Sequence, residues 1–167
     1  MKLIGALCIL AACIAAGRQQ ARHLQKRRLF LRGAHQGLLA LMREIDYAAT
    51  PMHQALPAAA EMAGPAAFIF SDAAEKLASG DGCTAGEAWQ NAIMAADAVH
   101  EEDKRLLALA GEGLGISDAA QQLKTLELLR LRIENAEAEA AATVASYGKI
   151  WQTMGWSSGA ILVLLLL

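Results

Sequence analysis

The stretch Gly111-Glu112-Gly113-Leu114-Gly115-Ile116-Ser117-Asp118, GEGLGISD, decides between two very different folds. A glycine cluster can cradle a phosphate when it follows a β-strand and ends in Gly-Lys-Ser/Thr. Here the preceding residues 105–110 are predicted to be helical, and no lysine directly follows Gly115. Glycines that end one helix, followed by a Ser or Asp N-cap that begins another, explain the stretch more simply. We therefore predict a bend between two helices, with no nucleotide or other cofactor site.

Helical periodicity extends on both sides of this bend. Apolar residues spaced three or four apart predict a long last helix that begins at Ser117 or Asp118, with the stripe Leu123, Leu126, Leu129, Ile133, Ala136, Ala140, Val144 and Tyr147. A first helix that ends near Tyr47 has the stripe Leu24, Leu31, Ala34, Leu38, Leu41 and Ile45. Since only 5% of the 167 residues are aromatic, we predict an all-α fold, an antiparallel bundle of about six helices between two terminal transmembrane helices.

Proline marks the helix boundaries in the first half of the body. Thr50 followed by Pro51 predicts an N-cap and a proline at the first helical position. Gly64-Pro65 repeats this signal for the next helix. Pro57 lies nearly two turns into the helix that starts at Pro51, which predicts a kink or a split there.

Two further helix starts follow a predicted turn at residues 79–82. Thr84 and Glu87 have the spacing of a capping box, at the start of a helix that carries Trp89, Ile93 and Met94. Trp89, at helical spacing with Ile93, is a predicted core anchor. The acids Glu101, Glu102 and Asp103 follow His100 at the start of the next helix, where the helix dipole favours negative charge.

The charges are distributed very unevenly along the chain. All 17 acidic residues lie between Glu44 and Glu139, a span that contains six basic residues and so carries an excess of 11 negative charges. A basic run without any acid precedes it, formed by Arg18, Arg22, Lys26, Arg27, Arg28 and Arg32. This division indicates a membrane-proximal basic stalk and a solvated acidic body, and it argues against nucleic acid as a partner.

Both ends of the chain are uncharged and apolar enough to be candidate membrane spans. We predict a first transmembrane segment within residues 1–17, a cytoplasmic helical body with a basic stalk at 18–149, and a second transmembrane segment at 150–167. Trp151 and Trp156 mark the entrance to the second span, where indole rings favour the interface. The basic run and Lys149 place the body in the cytoplasm.

A lipoprotein is the main alternative for the N-terminus. The residues from Leu10 to Cys13 fit a bacterial lipoprotein cleavage site, and a lipidated Cys13 would place the body outside the cell. The apolar run continues past Cys13, and the following arginines resist translocation, so the transmembrane interpretation is favoured.

The residues that could carry chemistry do not form a recognisable catalytic or metal-binding set. Contiguous residues such as Glu101, Glu102 and Asp103 point in different directions on a helix, unlike ligand pairs spaced by four. Cys83 has no histidine near it in sequence, and a membrane-anchored enzyme that uses this thiol stays open as a second class of function. We therefore predict that the chain is not an enzyme and binds no metal.

Several short motifs together resemble the stage III sporulation protein AB family of endospore-forming bacteria. They are Asp46-Tyr47, Thr50-Pro51-Met52 and Ala55-Leu56, then Glu87-Ala88-Trp89, and finally Gly113-Leu114-Gly115-Ile116-Ser117-Asp118 with Gln122. Their order between two apolar ends covers nearly the whole chain. Departures from the family pattern are Met52 in place of the usual leucine, the helix-interrupting Pro57, and the segment Leu10 to Cys13.

The resemblance implies a membrane component of the channel apparatus between mother cell and forespore, on the mother-cell side. It implies a cytoplasmic helical body similar to the platform proteins of type II secretion and type IV pili. The expected partners are a secretion-type ATPase and channel proteins, and a homo-oligomer is compatible with this role. On this interpretation Tyr47, Trp89 and the bend from Gly113 to Asp118 shape the bundle. The acids Glu101, Glu102 and Asp103 are expected to be exposed candidate contacts for a basic partner.

Overall fold

A computed structural model describes residues 2–47, 50–79, 82–115 and 118–166, and within these ranges the chain forms helices joined by short turns, without a β-strand. The α-helices are α1 (Lys2–Asp46), α2 (Met52–Met62), α3 (Ala67–Ala78), α4 (Ala85–Met94), α5 (Glu101–Ala108) and α6 (Ala119–Leu166). Two short 3₁₀ helices span Gly64–Ala66 and Leu109–Glu112. The predicted all-α class is confirmed, and α1 ends beside Tyr47 as its periodicity predicted.

The terminal helices were also predicted to cross a membrane. In the part of the chain that the structure describes, no helix combines the length and the apolar character needed to cross one. The two spans therefore stay predictions, as do their boundaries after Gly17 and before Ile150.

The helices group into two units. One unit is Leu29–Glu137, which we call the body, and the other combines Met1–Arg28 with Ala138–Leu167. In the body, α2 packs on α3, α3 packs on α4, and α4 packs on α5 and on the second 3₁₀ helix. The body contains almost all of the buried apolar residues among those described.

The apolar stripes of α1 and α6 form part of this core. The α1 residues Leu31, Ala34, Leu38, Leu41 and Ile45 are buried, and so are Leu126, Leu129 and Ile133 of α6. Ala140, which belongs to the other unit, is also buried. Burial of each leucine or isoleucine side chain contributes about 1.5 to 3 kcal/mol. The α6 stripe ends before Tyr147, whose side chain is 55% exposed, so its predicted last member is wrong.

Trp89 joins three helices at the centre of the body. Its side chain is fully buried, and its indole Nε1–H donates a hydrogen bond of 2.8 Å to the carbonyl oxygen of Leu107 in α5. The ring of Phe70 from α3 meets the indole edge to face, with centroids 5.0 Å apart. The prediction of Trp89 as a core anchor is therefore confirmed, because the buried polar atom of the indole has a partner.

Glycine allows two backbones to approach closely beside this anchor. A methyl group at Gly86 would overlap the carbonyl oxygen of Gly111, so any other residue at this position would force α4 away from the second 3₁₀ helix. The chain then turns at Gly115, whose φ of +79° lies in the left-handed region that favours glycine.

The start of α2 differs from the prediction. Pro51, with φ −56° and ψ 141°, is the N-cap residue, and its carbonyl oxygen accepts from the amides of Gln54 and Ala55. The Thr50 hydroxyl instead donates to Glu44 Oε2 at 2.8 Å, so the prediction of Thr50 as N-cap is wrong. The helix also runs through Pro57 to Met62, with the proline exposed, so it is not split there.

The capping box at the start of α4 is confirmed. Thr84 Oγ1 accepts from the backbone N–H of Glu87 at 3.2 Å, and the Glu87 carboxylate accepts from the backbone N–H of Thr84 at 2.8 Å. The Thr84 hydroxyl also donates to the Glu87 carboxylate at 3.0 Å. The two hydrogen bonds that this carboxylate accepts, first from the Thr84 backbone and then from its hydroxyl, lower the pKa of Glu87. The predicted turn before it begins at Ser79, while Gly80 and Asp81 lie outside the described residues.

We expect Trp89→Phe to destabilise the full chain by about 1 to 3 kcal/mol, because the aromatic contact with Phe70 persists but the Leu107 carbonyl loses its donor. Urea unfolding followed by far-UV circular dichroism measures this difference. Met94→Leu, an exposed substitution on the same helix, should change stability by less than about 0.5 kcal/mol. Equal stability of wild type and Trp89→Phe would show that the indole hydrogen bond contributes nothing.

We expect the capping box to weaken at acid pH. Because folding lowers the pKa of Glu87, its contribution is present above the ordinary carboxyl value of 4.5 and is lost as the pH falls through the folded value. In urea unfolding, wild type should exceed Glu87→Gln in stability near neutral pH, and the difference should vanish in acid. A difference that does not change with pH would contradict this assignment.

Candidate interaction surface

The exposed end of α4 and the start of α5 form a surface that is both acidic and apolar. We define the α4–α5 surface by the side chains of Met94, Asp97, Glu101 and Glu102, all of them exposed. Met94 is the last residue of α4, and Glu101 and Glu102 are the first two residues of α5. Six residues join the two helices, so these side chains lie within a short segment of the body.

The buried face of α5 fixes which residues point outward. Asp103 and Leu107, one helical turn apart, are both buried, and Leu107 also accepts the hydrogen bond from Trp89. Glu101, Glu102 and Arg105 are consequently exposed. Three acids in the first turn also lie where the helix dipole stabilises negative charge, by about 0.3 to 1 kcal/mol each at exposed positions.

Asp103 does not share the exposure of its two acidic neighbours. Only 2% of its surface is accessible, because it lies one turn before Leu107 on the face that packs into the body. The expectation that Asp103 is exposed is therefore wrong. Contact of Glu101 and Glu102 with a partner stays a prediction.

A local ion pair involves Glu101 but leaves it accessible. Lys104 Nζ lies 3.2 Å from Glu101 Oε1, while 74% of the Glu101 side chain remains exposed. Ion pairs between residues three or four positions apart on a helix are typically worth about 0.2 to 0.5 kcal/mol. A cationic side chain of a partner protein can therefore replace Lys104 in the ion pair with Glu101 at little cost in free energy.

Sequence reasoning missed Met94 and Asp97 as members of this surface. Buried alanines and larger apolar residues of α4 recur at Ala85, Ala88, Trp89, Ala92 and Ile93. Met94 falls outside this three- and four-residue spacing and is 74% exposed. The spacing itself carried that signal, since Met94 is five positions from Trp89 and so lies off the buried face.

The glycine motif is a bend, as predicted. The second 3₁₀ helix leads into the turn at Gly113 and Gly115, and Asp118 then caps α6, its carboxylate accepting from the amide of Gln121 at 2.9 Å. The backbone N–H of Gln122 donates to the Asp118 carbonyl at 3.0 Å. Ile116 and Ser117 lie outside the described residues. The side chain of Asp118 thus caps the first turn of α6, and the structural roles of Gly113 and Gln122 stay predictions.

The two motif residues near the end of α1 have different surroundings. Tyr47 is 87% exposed in the turn after α1, so it does not pack into the bundle and the expectation that it shapes the core is wrong. Pro51 is exposed as the N-cap of α2. Neither belongs to the α4–α5 surface as defined here.

The other candidate chemical groups are dispersed. Among the described residues, no group of three or more His, Cys, Asp or Glu side chains could hold a metal ion. Cys83 is half-buried beside an open groove of about 620 Å³ that His53 also lines, and its thiol donates to the carbonyl oxygen of Lys76 at 3.3 Å. That hydrogen bond orients the thiol toward a carbonyl acceptor, which cannot act as a general base.

Arg130 forms two ion pairs along α6. Arg130 bonds to Glu127 at 2.7 Å and to Glu134 at 3.0 Å. The hydrogen bond from Arg130 is the main cause that lowers the pKa of the Glu127 carboxyl. These pairs stabilise the exposed side of the helix and contribute little to the body as a whole.

Comparisons of the sequence and the structure with known proteins all indicate one family. Residues 2–167 match the family model for stage III sporulation protein AB. A stage III sporulation protein AB from Bacillus subtilis (strain 168) is 30% identical over 171 residues, covering 100% of this chain and 99% of that protein. A solved structure titled stage III sporulation protein AB is similar with a TM-score of 0.65 and 29% identity, covering 72% of this chain and 97% of the solved chain.

Proposed function

Because the chain belongs to the stage III sporulation protein AB family, we propose that it is a non-enzymatic membrane component of the channel apparatus between mother cell and forespore. In this proposal the body is a cytoplasmic platform for a secretion-type ATPase. The observation that carries the proposal is the α4–α5 surface, where an exposed methionine and exposed acids lie on two helices that a buried tryptophan joins and on the segment between them.

The distribution of charge supports the membrane placement. Residues 3–17 and 150–167 are uncharged, and the basic run that follows the first of these segments is typical of the cytoplasmic side. The acidic span between Glu44 and Glu139 then lies away from anionic headgroups. In this proposal the terminal segments contact the channel proteins, and the body contacts the ATPase.

The composition of the α4–α5 surface supports a protein partner with basic side chains. Asp97, Glu101 and Glu102 supply carboxylates for charge-assisted hydrogen bonds, which arginine can make in pairs. Met94 supplies an adaptable apolar contact among them. Because Trp89 fixes α5 on α4, the surface is preformed and loses little entropy when a partner binds.

We expect the double charge reversal Glu101→Lys/Glu102→Lys to weaken capture of the ATPase at least about tenfold and to reduce spore formation, because like charges would face each other. Co-purification from sporulating cells and spore counts measure the two effects. Glu61→Lys/Glu75→Lys is the matched control, since it makes the same charge change at exposed positions on α2 and α3. Equal effects of the two variants, or none, would remove the α4–α5 surface from the interface.

We expect a thiol introduced at Ser79 to be protected from a membrane-impermeant reagent in intact mother cells and labelled after lysis. Ser79 is exposed in the turn after α3, and the background would have Cys8, Cys13 and Cys83 replaced. Asp97→Cys gives a second reporter in the body and should agree with the first. Labelling of both in intact cells would place the body outside and favour the lipoprotein with a modified Cys13.

An enzymatic role has its own test. If Cys83 were a nucleophile, Cys83→Ser would abolish function while leaving the fold and the complexes intact. The hydrogen bond from its thiol to the Lys76 carbonyl favours a packing role instead. We therefore expect this variant to sporulate normally.

A further inference from the structure

One face of α1 combines small apolar residues with two arginines. Ala11, Ala15, Arg18, Gln19 and Arg22 line an open, shallow cavity of about 580 Å³ within the unit that contains Met1–Arg28. Ala11, Ala15, Arg18 and Arg22 follow one another at steps of four, three and four, so they share one helix face. All five residues are exposed.

The cationic end of this face suits a phosphate group. Arg18 and Arg22 are one turn apart, about 6 Å along the helix, so both guanidinium groups can reach one anion. Arginine binds phosphate oxygens through paired N–H donors, and Gln19 adds an amide donor between them. No ion pair joins Arg18 or Arg22 to any residue in the ranges that the structure describes.

The other end of the face is apolar. Ala11 and Ala15 present only methyl groups, and they belong to a segment, Leu3 to Gly17, without a charged residue. A ligand that fills the whole cavity must therefore carry an anionic group at one end and hydrocarbon at the other. A free phosphate would use the arginines alone and leave the alanine half of the cavity empty.

We propose that this face binds an anionic phospholipid, with the headgroup phosphate on Arg18 and Arg22 and an acyl chain along Ala15 and Ala11. The proposal rests on the membrane placement proposed above and adds a defined site to it. General attraction of the basic run to an anionic surface would involve all six cations alike. A site instead concentrates the effect on the two arginines that line the cavity.

The full chain, purified in a neutral detergent, is titrated with phosphatidylglycerol or phosphatidylcholine, and bound lipid is counted by native mass spectrometry. We expect wild type to bind phosphatidylglycerol more tightly than phosphatidylcholine. The variant Arg18→Gln/Arg22→Gln should lose roughly thirtyfold in affinity for phosphatidylglycerol, since each of the two basic residues near a lipid surface is worth about a factor of five. The affinity of Arg18→Lys/Arg22→Lys for phosphatidylglycerol should lie between those of wild type and the Gln variant, because lysine keeps the charge and loses the paired donors.

Arg28→Gln/Arg32→Gln is the matched control. It removes two arginines of the same run, also four positions apart, that do not line the cavity. We expect its affinity for phosphatidylglycerol to stay within about threefold of wild type, since these two residues lie more than one helical turn beyond Arg22 and neither lines the cavity. Equal losses in the two Gln variants, or equal binding of the two lipids by wild type, would overturn the site.

Failure of the lipid site is separable from failure of the platform. The thiol labelling at Ser79 reports on which side of the membrane the body lies, and it does not depend on lipid selectivity. Loss of phosphatidylglycerol preference with unchanged labelling would overturn only the lipid site. Competition by soluble glycerol phosphate as effective as that by phosphatidylglycerol would also overturn it, because the apolar half of the cavity would then contribute nothing.

Discussion

The buried hydrogen bond from Trp89 Nε1 to the Leu107 carbonyl is the interaction on which the arrangement of the body depends. An indole N–H without a partner in the core would cost about 1 to 3 kcal/mol, so α5 has a defined position relative to α4. Phe70 extends the same contact to α3 through its edge-to-face packing. Because α5 is fixed, its outward residues are fixed with it, and the α4–α5 surface becomes a property of the core.

Close backbone contact complements this anchor. The approach of Gly86 to Gly111 brings the second 3₁₀ helix against α4, and the positive φ at Gly115 then turns the chain toward the Asp118 cap. Side chains larger than hydrogen would separate α4 from the second 3₁₀ helix. A motif whose glycines suggest ligand binding thus serves helix packing, with Asp118 satisfying an amide at the start of α6.

Charge divides the chain into regions with different expected neighbours. The basic run on α1 carries no acid that could neutralise it locally, whereas the span that forms most of the body is strongly acidic. An anionic lipid and a basic protein are the complementary ligands for these two regions. The chain belongs to the stage III sporulation protein AB family, so this division of charge is a feature of a sporulation protein.

The sequence by itself determined the helical class, the buried faces of α1 and α6, the capping box at Thr84 and the bend before Asp118, because each follows from local spacing and backbone chemistry. Tertiary structure alone decided that Asp103 is buried, that Tyr47 is exposed and that Thr50 donates to Glu44 rather than capping α2. It also decided that Met94 is exposed at the end of α4. Such outcomes depend on which helices meet, and no residue's local pattern contains that information.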